Sequence, residues 1–115
     1  MISEGKMKQK PGYINEKHLS SYVPQIEQLI REKKFDEAET LLFQCVEATE
    51  AESKAENLGV APYYYDKLAM LARKEKDLDK ELLILERFSK QKHAPGVTPP
   101  KLLERFEKVK ALLNK

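Results

Sequence analysis

The fold is decided by residues 29–48, which read LIREKKFDEAETLLFQCVEA. Lys33 and Lys34 end one helix, since cations stabilise the negative end of the helix dipole. Asp36 and Glu39 then match the spacing of a capping box and predict the start of a second helix. The apolar stripe of that helix has the spacing of an amphipathic helix and comprises Ala38, Leu41, Leu42, Cys45 and Ala48. The stretch therefore predicts a helical hairpin.

A second stretch, residues 71–90, repeats this order of features and reads LARKEKDLDKELLILERFSK. Leu78 takes the place of Phe35, which stands 43 residues earlier in the chain. We expect Asp77 or Asp79 to cap the helix that follows. Its stripe has the same amphipathic character and comprises Leu78, Leu82, Leu85 and Phe88. Two similar helical hairpins are therefore predicted in tandem.

Three further helices are predicted from apolar periodicity. In chain order they are the first, third and fifth helices. The first begins between Ser20 and Pro24, the third begins at Pro62, and Thr98 caps the fifth. Each of these starts contains a proline, which is tolerated in the first turn of a helix. Their stripes comprise, in order, Tyr22, Ile26, Leu29 and Ile30; Tyr65, Leu68, Ala69, Leu71 and Ala72; and Leu103, Phe106, Val109 and Leu113. With no convincing strand pattern, the predicted fold class is all-α with five helices.

The N-terminal segment differs from the rest of the chain. Residues 1–18 have no helical period, so they are predicted to form a mobile tail that cannot bury enough apolar area to offset its ordering entropy. Tyr13 and Ile14 leave open whether part of this tail docks on the domain. Residues 19–115 are predicted to form a single helical domain.

The two hairpins resemble tetratricopeptide repeats. The matching positions are Tyr22, Ile26, Leu29, Phe35, Ala38, Leu42 and Cys45 in the first unit, and Tyr65, Leu68, Ala69, Ala72, Leu78, Glu81, Leu85 and Phe88 in the second. The chain departs from the pattern at Ile26 and Phe88, which stand where small residues are usual. Its 43-residue offset also exceeds the usual unit of about 34 residues.

The resemblance implies a short right-handed array of antiparallel helical hairpins, with two repeats and a C-terminal capping helix. It also implies a non-enzymatic adaptor that binds a protein or peptide on the face of the first helices. Pro24 and Lys67 stand where some members have the asparagines of a carboxylate clamp, so that clamp is absent. A compact helical bundle remains the alternative architecture.

Composition gives no support to several classes of protein. The net charge of +2 is too small to indicate a nucleic acid or a membrane as the partner. The single cysteine, Cys45, cannot form an internal disulfide, and no apolar run of about 20 residues is present to span a bilayer. The first twenty residues lack the apolar core of a secretory signal. We therefore expect a cytoplasmic protein without a membrane partner.

The motifs of catalysis and metal binding are also missing from the sequence. Cys45 lies on an apolar stripe, while His18 and His93 lie outside the predicted packed faces. No HExxH, CxxC or glycine-rich phosphate loop occurs. The prediction is a protein that is not an enzyme, with no catalytic, metal-binding or cofactor-binding residues and no cofactor.

The candidate binding face combines the third and first predicted helices. Tyrosines are frequent interface anchors, which draws attention to the run at 63–65. The predicted partner-binding residues are Tyr63, Tyr64, Lys67, Met70 and Arg73 on the third helix, with Glu27 and Arg31 on the first. Ordinary solvation of a helix surface explains their charged members equally well.

Charge is unevenly distributed and leaves two alternatives open. Residues 35–57 carry a net charge of −6, and residues 73–115 carry +5. The first alternative is a nucleic-acid accessory module that uses Lys74, Lys76, Lys90, Lys92, Lys101, Arg105 and Lys108. The second is a structural protein that forms homodimers through its last helix.

Overall fold

The computed structural model describes residues 10–114, and within that range it confirms the all-α class. Five α-helices follow one another: α1 (Val23–Arg31), α2 (Phe35–Glu56), α3 (Pro62–Lys74), α4 (Leu78–Ser89) and α5 (Thr98–Leu113). Each helix packs on the next one along the chain, and α3 also contacts α5. None of the described helices is both long enough and apolar enough to cross a bilayer.

Three helix starts agree with the sequence and two differ. The first helix begins at Val23, within the predicted range of Ser20 to Pro24. Pro62 begins α3, and the Asp77 carboxylate accepts a hydrogen bond from the Lys80 backbone N–H at 3.0 Å, as a helix cap should. Thr98 is already helical, and the backbone of Val97 precedes it as the cap. The predicted capping box of α2 is wrong, because Lys34 occupies the cap position and the Glu39 side chain contacts Lys80 of α4 instead.

The two hairpin turns are built in the same way. Lys33 and Lys76 both adopt a left-handed backbone, with φ of 60° and 61°. In the first turn the N–H groups of Lys33 and Lys34 donate to the carbonyls of Ile30 and Leu29. Residues 76 and 77 donate to residues 73 and 72 in the same pattern, which is that of a Schellman motif. The turns therefore repeat at an offset of 43 residues, as the sequence predicted.

The helix stripes meet in one core. Its largest fully buried side chains include those of Tyr65, Phe88, Ile26, Leu42, Leu68 and Leu85. Ala38 and Ala69 are also fully buried, which agrees with the prediction that the paired helices bury their stripes between consecutive hairpins. Leu102 of α5 is buried as well and was not part of the predicted stripe.

Part of the predicted N-terminal tail folds against α2. Strands β1 (Tyr13–Ile14) and β2 (Lys17–His18) form a small hairpin, and a 3₁₀ helix at Leu19–Tyr22 leads into α1. The two residues between the strands, Asn15 and Glu16, have φ of 50° and 72°, which is the positive φ at both positions that a type I′ hairpin turn requires. The sequence did not predict these strands, since each has only two residues.

Apolar and polar contacts together hold this hairpin in place. Ile14 is buried, the Tyr22 hydroxyl donates to its carbonyl at 2.7 Å, and His18 Nε2 lies 2.8 Å from a carboxylate oxygen of Glu52 on α2. Whether part of the N-terminal segment docks on the helical domain was left open by the sequence, and the buried Ile14 shows that it does. Residues 1–9 of the predicted tail lie outside the described range.

Candidate protein-binding surface

Three of the predicted binding residues come together between α1 and α3. The Tyr63 hydroxyl donates a hydrogen bond to the Glu27 carboxylate, and Lys67 Nζ lies 3.9 Å from the same carboxylate. Lys67 also lies over the Tyr63 ring, 5.5 Å from its centroid. The Tyr63 hydrogen bond and the Lys67 charge lower the pKa of Glu27, while burial and that hydrogen bond raise the pKa of Tyr63. The three side chains thus bond to one another.

The other predicted residues lie in different surroundings. Tyr64 is buried, and its hydroxyl donates to the Leu19 carbonyl at 3.2 Å, so its ring packs in the core and not along a groove. Met70 is half-buried against the core. Arg31 is exposed and donates to the Gln28 side chain. Glu27, Tyr63 and Lys67 thus form one cluster, and two of the other predicted residues adjoin it: the Tyr64 ring packs edge-on against that of Tyr63 at a centroid distance of 5.1 Å, and the charge of Arg31 helps to lower the pKa of Glu27.

Arg73 bonds to a buried carboxylate of the fold. Its Nε and Nη2 atoms donate to Glu81 at 2.6 and 3.1 Å, and Arg105 Nε of α5 donates to Glu81 at 2.7 Å. Glu81 is 0 % exposed, so both arginines stabilise a charge that water does not reach. Arg105 lies 3.7 Å from Asp66 as well. This network joins α3, α4 and α5 and explains Arg73 without an external partner.

An apolar groove that the sequence analysis missed lies between α2 and α4. It encloses a cavity of about 190 Å3. Tyr65 and Leu68 of α3 contribute to it from between the two outer helices; the full lining is Phe43, Val46, Tyr65, Leu68, Lys80, Leu83, Ile84 and Arg87. Leu83 stands at its edge with 63 % of its surface exposed. The signal in the sequence was Leu83 itself, an apolar residue outside the predicted stripe of its helix.

Two ion pairs cross the groove and connect α2 to α4. The Lys80 ammonium bonds to the Glu39 carboxylate and lies 3.4 Å from Glu75. Arg87 donates two parallel hydrogen bonds to Glu50, at 2.8 and 2.9 Å, in the bidentate geometry that is strongest for this pair. The hydrogen bond to Glu39 raises the pKa of Lys80, and the bond to Glu50 raises that of Arg87. Both cations are therefore held in their charged form.

The Tyr65 hydroxyl, on α3, also bonds to the ion pair between Arg87 and Glu50. It donates to Glu50 at 2.7 Å, so the Glu50 carboxylate accepts from both Tyr65 and Arg87. Burial and this bond raise the pKa of Tyr65, which keeps the phenol protonated and able to donate. The floor of the groove is consequently fixed by polar contacts at one end and by apolar packing along its length.

A larger cavity of about 320 Å3 lies between the N-terminal hairpin and α2. Its walls come from residues 10–15 and from Gln44, Glu47, Ala48 and Ala51 of α2. The described chain begins at Lys10, at the wall of this cavity.

The candidate catalytic groups are used in packing. Cys45 is buried, and burial raises its pKa to about 11, so its thiol stays protonated at neutral pH and is a poor nucleophile. The His93 ring stacks on Phe88 at 4.3 Å and its Nε2 lies 2.7 Å from the Phe88 carbonyl. His18 contacts Glu52. No contact in the described range joins either imidazole to Cys45.

One group of carboxylates has the spacing of a metal site. Oxygen atoms of Asp36, Glu39 and Glu75 lie within 4.8 Å of one another. Lys80 bonds to Glu39 and Glu75, so its ammonium supplies the positive charge that these acids require. The cluster is thus explained as part of the ion pairs that border the groove.

No family model, curated protein or solved structure matches this chain. The tetratricopeptide-like assignment therefore stays a prediction from the residues.

Proposed function

We propose that this chain is a non-enzymatic protein-binding module, a small tetratricopeptide-like adaptor that holds an amphipathic segment of a partner protein. The apolar groove between α2 and α4, with Leu83 exposed at its edge, is the observation that carries the proposal. The repeated hairpin turns at residues 33 and 76 support the tetratricopeptide-like architecture. The predicted cytoplasmic location is part of this proposal.

The size of the groove favours a protein segment over a small molecule. Its volume of about 190 Å3 is below the roughly 300–1,000 Å3 that is usual for ligand pockets. A few apolar side chains of a helix would fill such a space, which is the common helix-in-groove form of recognition. Leu83 would then extend the contact surface outside the cavity.

The groove is a better candidate than the face predicted from the sequence. Glu27, Tyr63 and Lys67 already bond to one another, and Tyr64 is buried, so that face offers fewer groups for a partner. Leu83 is exposed and Phe43 is half-buried, so a partner would remove their apolar surface from water, above a floor that Val46 and Leu68 keep apolar. The released apolar area would provide the driving force for binding.

The nucleic-acid alternative has less support. Five of its seven bases have partners within the fold: Lys74 lies over the Phe35 ring, Lys90 pairs with Glu86, Lys92 with Asn57, Arg105 with Glu81 and Lys108 with Glu104. A phosphate backbone would have to compete with these contacts, three of which are to carboxylates.

Homodimerisation through α5 is also weakly supported. The exposed residues of that helix are mostly charged: Lys101, Glu104, Glu107 and Lys108, with Pro100 near its start and Ala111 and Leu112 near its end. A stable helix–helix interface needs a more continuous apolar face than this.

A peptide-display experiment tests the proposal. A library of helix-forming peptides is selected on the natural chain and then counter-selected on the variant Leu83→Glu, with Leu112→Glu as the matched control. Leu112 is also an exposed leucine on a helix, but it lies on α5. We expect peptides with apolar residues on one face, which bind the natural chain and the control and lose binding to Leu83→Glu. Peptides that bind all three proteins equally, or a library without enriched peptides, would refute the groove as the site.

A further inference from the structure

We propose that the partner segment held in this groove is basic, an amphipathic helix whose apolar residues are flanked by lysine or arginine. This inference rests on the proposed function. It assigns the chemistry of the occupant, which the apolar floor alone does not determine.

Carboxylates lie at both ends of the α2 side of the groove. Positions 39, 43, 46 and 50 fall on one face of a helix, since their spacing of four, three and four residues follows the helical repeat. The two inner residues, Phe43 and Val46, line the cavity, and the two outer ones, Glu39 and Glu50, are the acids of the ion pairs. Glu47, one turn after Phe43, is exposed on the adjoining strip of the surface.

Carboxylates also flank the exposed leucine on the α4 side. Asp79 lies four residues before Leu83, and Glu86 lies three residues after it, so all three share one face of α4. The two acids are seven residues apart, which corresponds to about 10.5 Å along the helix. Basic side chains about two turns apart on a bound helix would meet both of them while an apolar residue between them contacts Leu83.

The cations that line the groove do not offset these acids for a partner. Lys80 and Arg87 already bond to Glu39 and Glu50, in pairs that cross the groove. An acidic segment would have to break those pairs, and it would also face the carboxylates of Asp79 and Glu47. Glu86 adds a third carboxylate, since its contact with Lys90 at 3.8 Å joins two exposed side chains and is therefore weak. A basic segment leaves both pairs intact and meets the acids that surround them.

The wider charge distribution acts in the same direction. Residues 35–57, which include all of α2, carry a net charge of −6. Such a concentration of one sign attracts a basic partner before contact and increases the association rate at low salt. The electrostatic and apolar features of the groove thus favour the same occupant.

The basic half of a second copy of this chain is the competing occupant. Residues 73–115 carry a net charge of +5 and could in principle dock on the acidic α2 of another molecule. In that case light scattering of the purified chain would show a mass that rises with concentration and falls with salt. This result would refute binding of a segment from another protein, and a constant monomer mass would support it.

The charge of the selected peptides tests the inference directly. Among peptides whose binding depends on Leu83, we expect lysine and arginine to be enriched beside the apolar residues. The affinity of a representative peptide is then measured for the double variant Asp79→Lys/Glu86→Lys and for the control Glu104→Lys/Glu107→Lys. Both variants change the net charge equally, but the control acids lie exposed on α5.

The expected result is roughly tenfold weaker binding to the groove variant and less than about a twofold change for the control at low salt, given the usual strength of exposed charge pairs. The difference should shrink at 1 M salt, where screening acts over about 3 Å. Leu83-dependent peptides with neutral or acidic flanks would overturn this inference and leave the proposed function standing. Peptides that bind independently of Leu83 would overturn both.

Discussion

The first and second hairpins have the same turn but different buried partners. The offset of 43 residues that relates Lys33 to Lys76 also relates Ala38 to Glu81 and Ile30 to Arg73. Ala38 and Glu81 are both fully buried. In the first hairpin the pair of positions is apolar, whereas in the second it is a carboxylate and the guanidinium that bonds to it at 2.6 Å. One backbone design therefore accommodates two chemically different contacts.

The different residues at these buried positions are related to the helix that follows each hairpin. Glu81 also accepts a hydrogen bond from Arg105, so the second hairpin attaches α5 through a buried charge. The first hairpin is followed by another hairpin and packs on it through apolar side chains such as Leu42 and Leu68. A buried charge that must be paired restricts how a terminal helix can dock, whereas apolar contacts tolerate small shifts.

The largest expected effect comes from placing the second hairpin's residue in the first. Ala38→Glu would bury a carboxylate where the equivalent of Arg73 is Ile30, so we expect the free energy of unfolding to fall by more than about 4 kcal/mol. Urea denaturation followed by circular dichroism measures it. The double variant Ile30→Arg/Ala38→Glu should recover part of the loss. A stable Ala38→Glu single variant would show that the two sites are not different.

A second comparison involves Cys45 and Phe88, which are also related by 43 residues and are both fully buried. Phe88 contacts the rings of Tyr65 and His93, at centroid distances of 5.1 and 4.3 Å. We expect Phe88→Ala to lower the free energy of unfolding by about 3–5 kcal/mol. Cys45→Ala should lower it by only about 1 kcal/mol, because removing the thiol leaves a much smaller cavity than removing the phenyl ring. Equal losses in denaturation experiments would contradict this account.

Removal of the buried carboxylate should have an intermediate effect. In Glu81→Ala, Arg73 and Arg105 lose their common acceptor, but both arginines are partly exposed and can be hydrated. We therefore expect a loss of about 2–3 kcal/mol in the free energy of unfolding. The control Glu104→Ala, which removes an exposed acid of α5, should change it by less than about 0.5 kcal/mol. Hydrogen exchange should locate the Glu81→Ala effect in α5.

The smallest expected effect tests the shared turn. Lysine at φ near 60° is unfavourable compared with glycine, which is the usual residue at this position of a Schellman motif. Lys33→Gly and Lys76→Gly should each raise the free energy of unfolding by up to about 1 kcal/mol, and by similar amounts. A gain at one turn and a loss at the other in thermal denaturation would show that the two turns are not equivalent.

Much of the helical framework could be predicted from local patterns. The apolar periods indicated five helices, Pro62 marked the start of α3, and one of the two expected candidates, Asp77, caps α4. Local patterns failed where a distant residue competed for a side chain. Glu39 has the spacing of a capping residue, yet it contacts Lys80, which is 41 positions away in the sequence.

The candidate site was predictable only in part for the same reason. Periodicity identified the stripe of each helix that faces the core. It did not show that α2 and α4 leave a groove between them above α3. Tyr64 was expected at a surface and is buried, because consecutive tyrosines point in different directions and the docked Leu19 segment covers one of them. The groove at Leu83 depends on how α2, α3 and α4 are arranged around it.

By itself the sequence determined that this chain forms amphipathic helices in two similar hairpins, because the periodicity and turn residues act over a few positions. The tertiary structure alone decided which charges became internal contacts and which remained on the surface. Whether an acid is buried with two arginines, as Glu81 is, or flanks an apolar groove, as Asp79 does, depends on residues brought close by packing. Electrostatic energies vary steeply with distance and burial, and neither quantity is present in the order of residues.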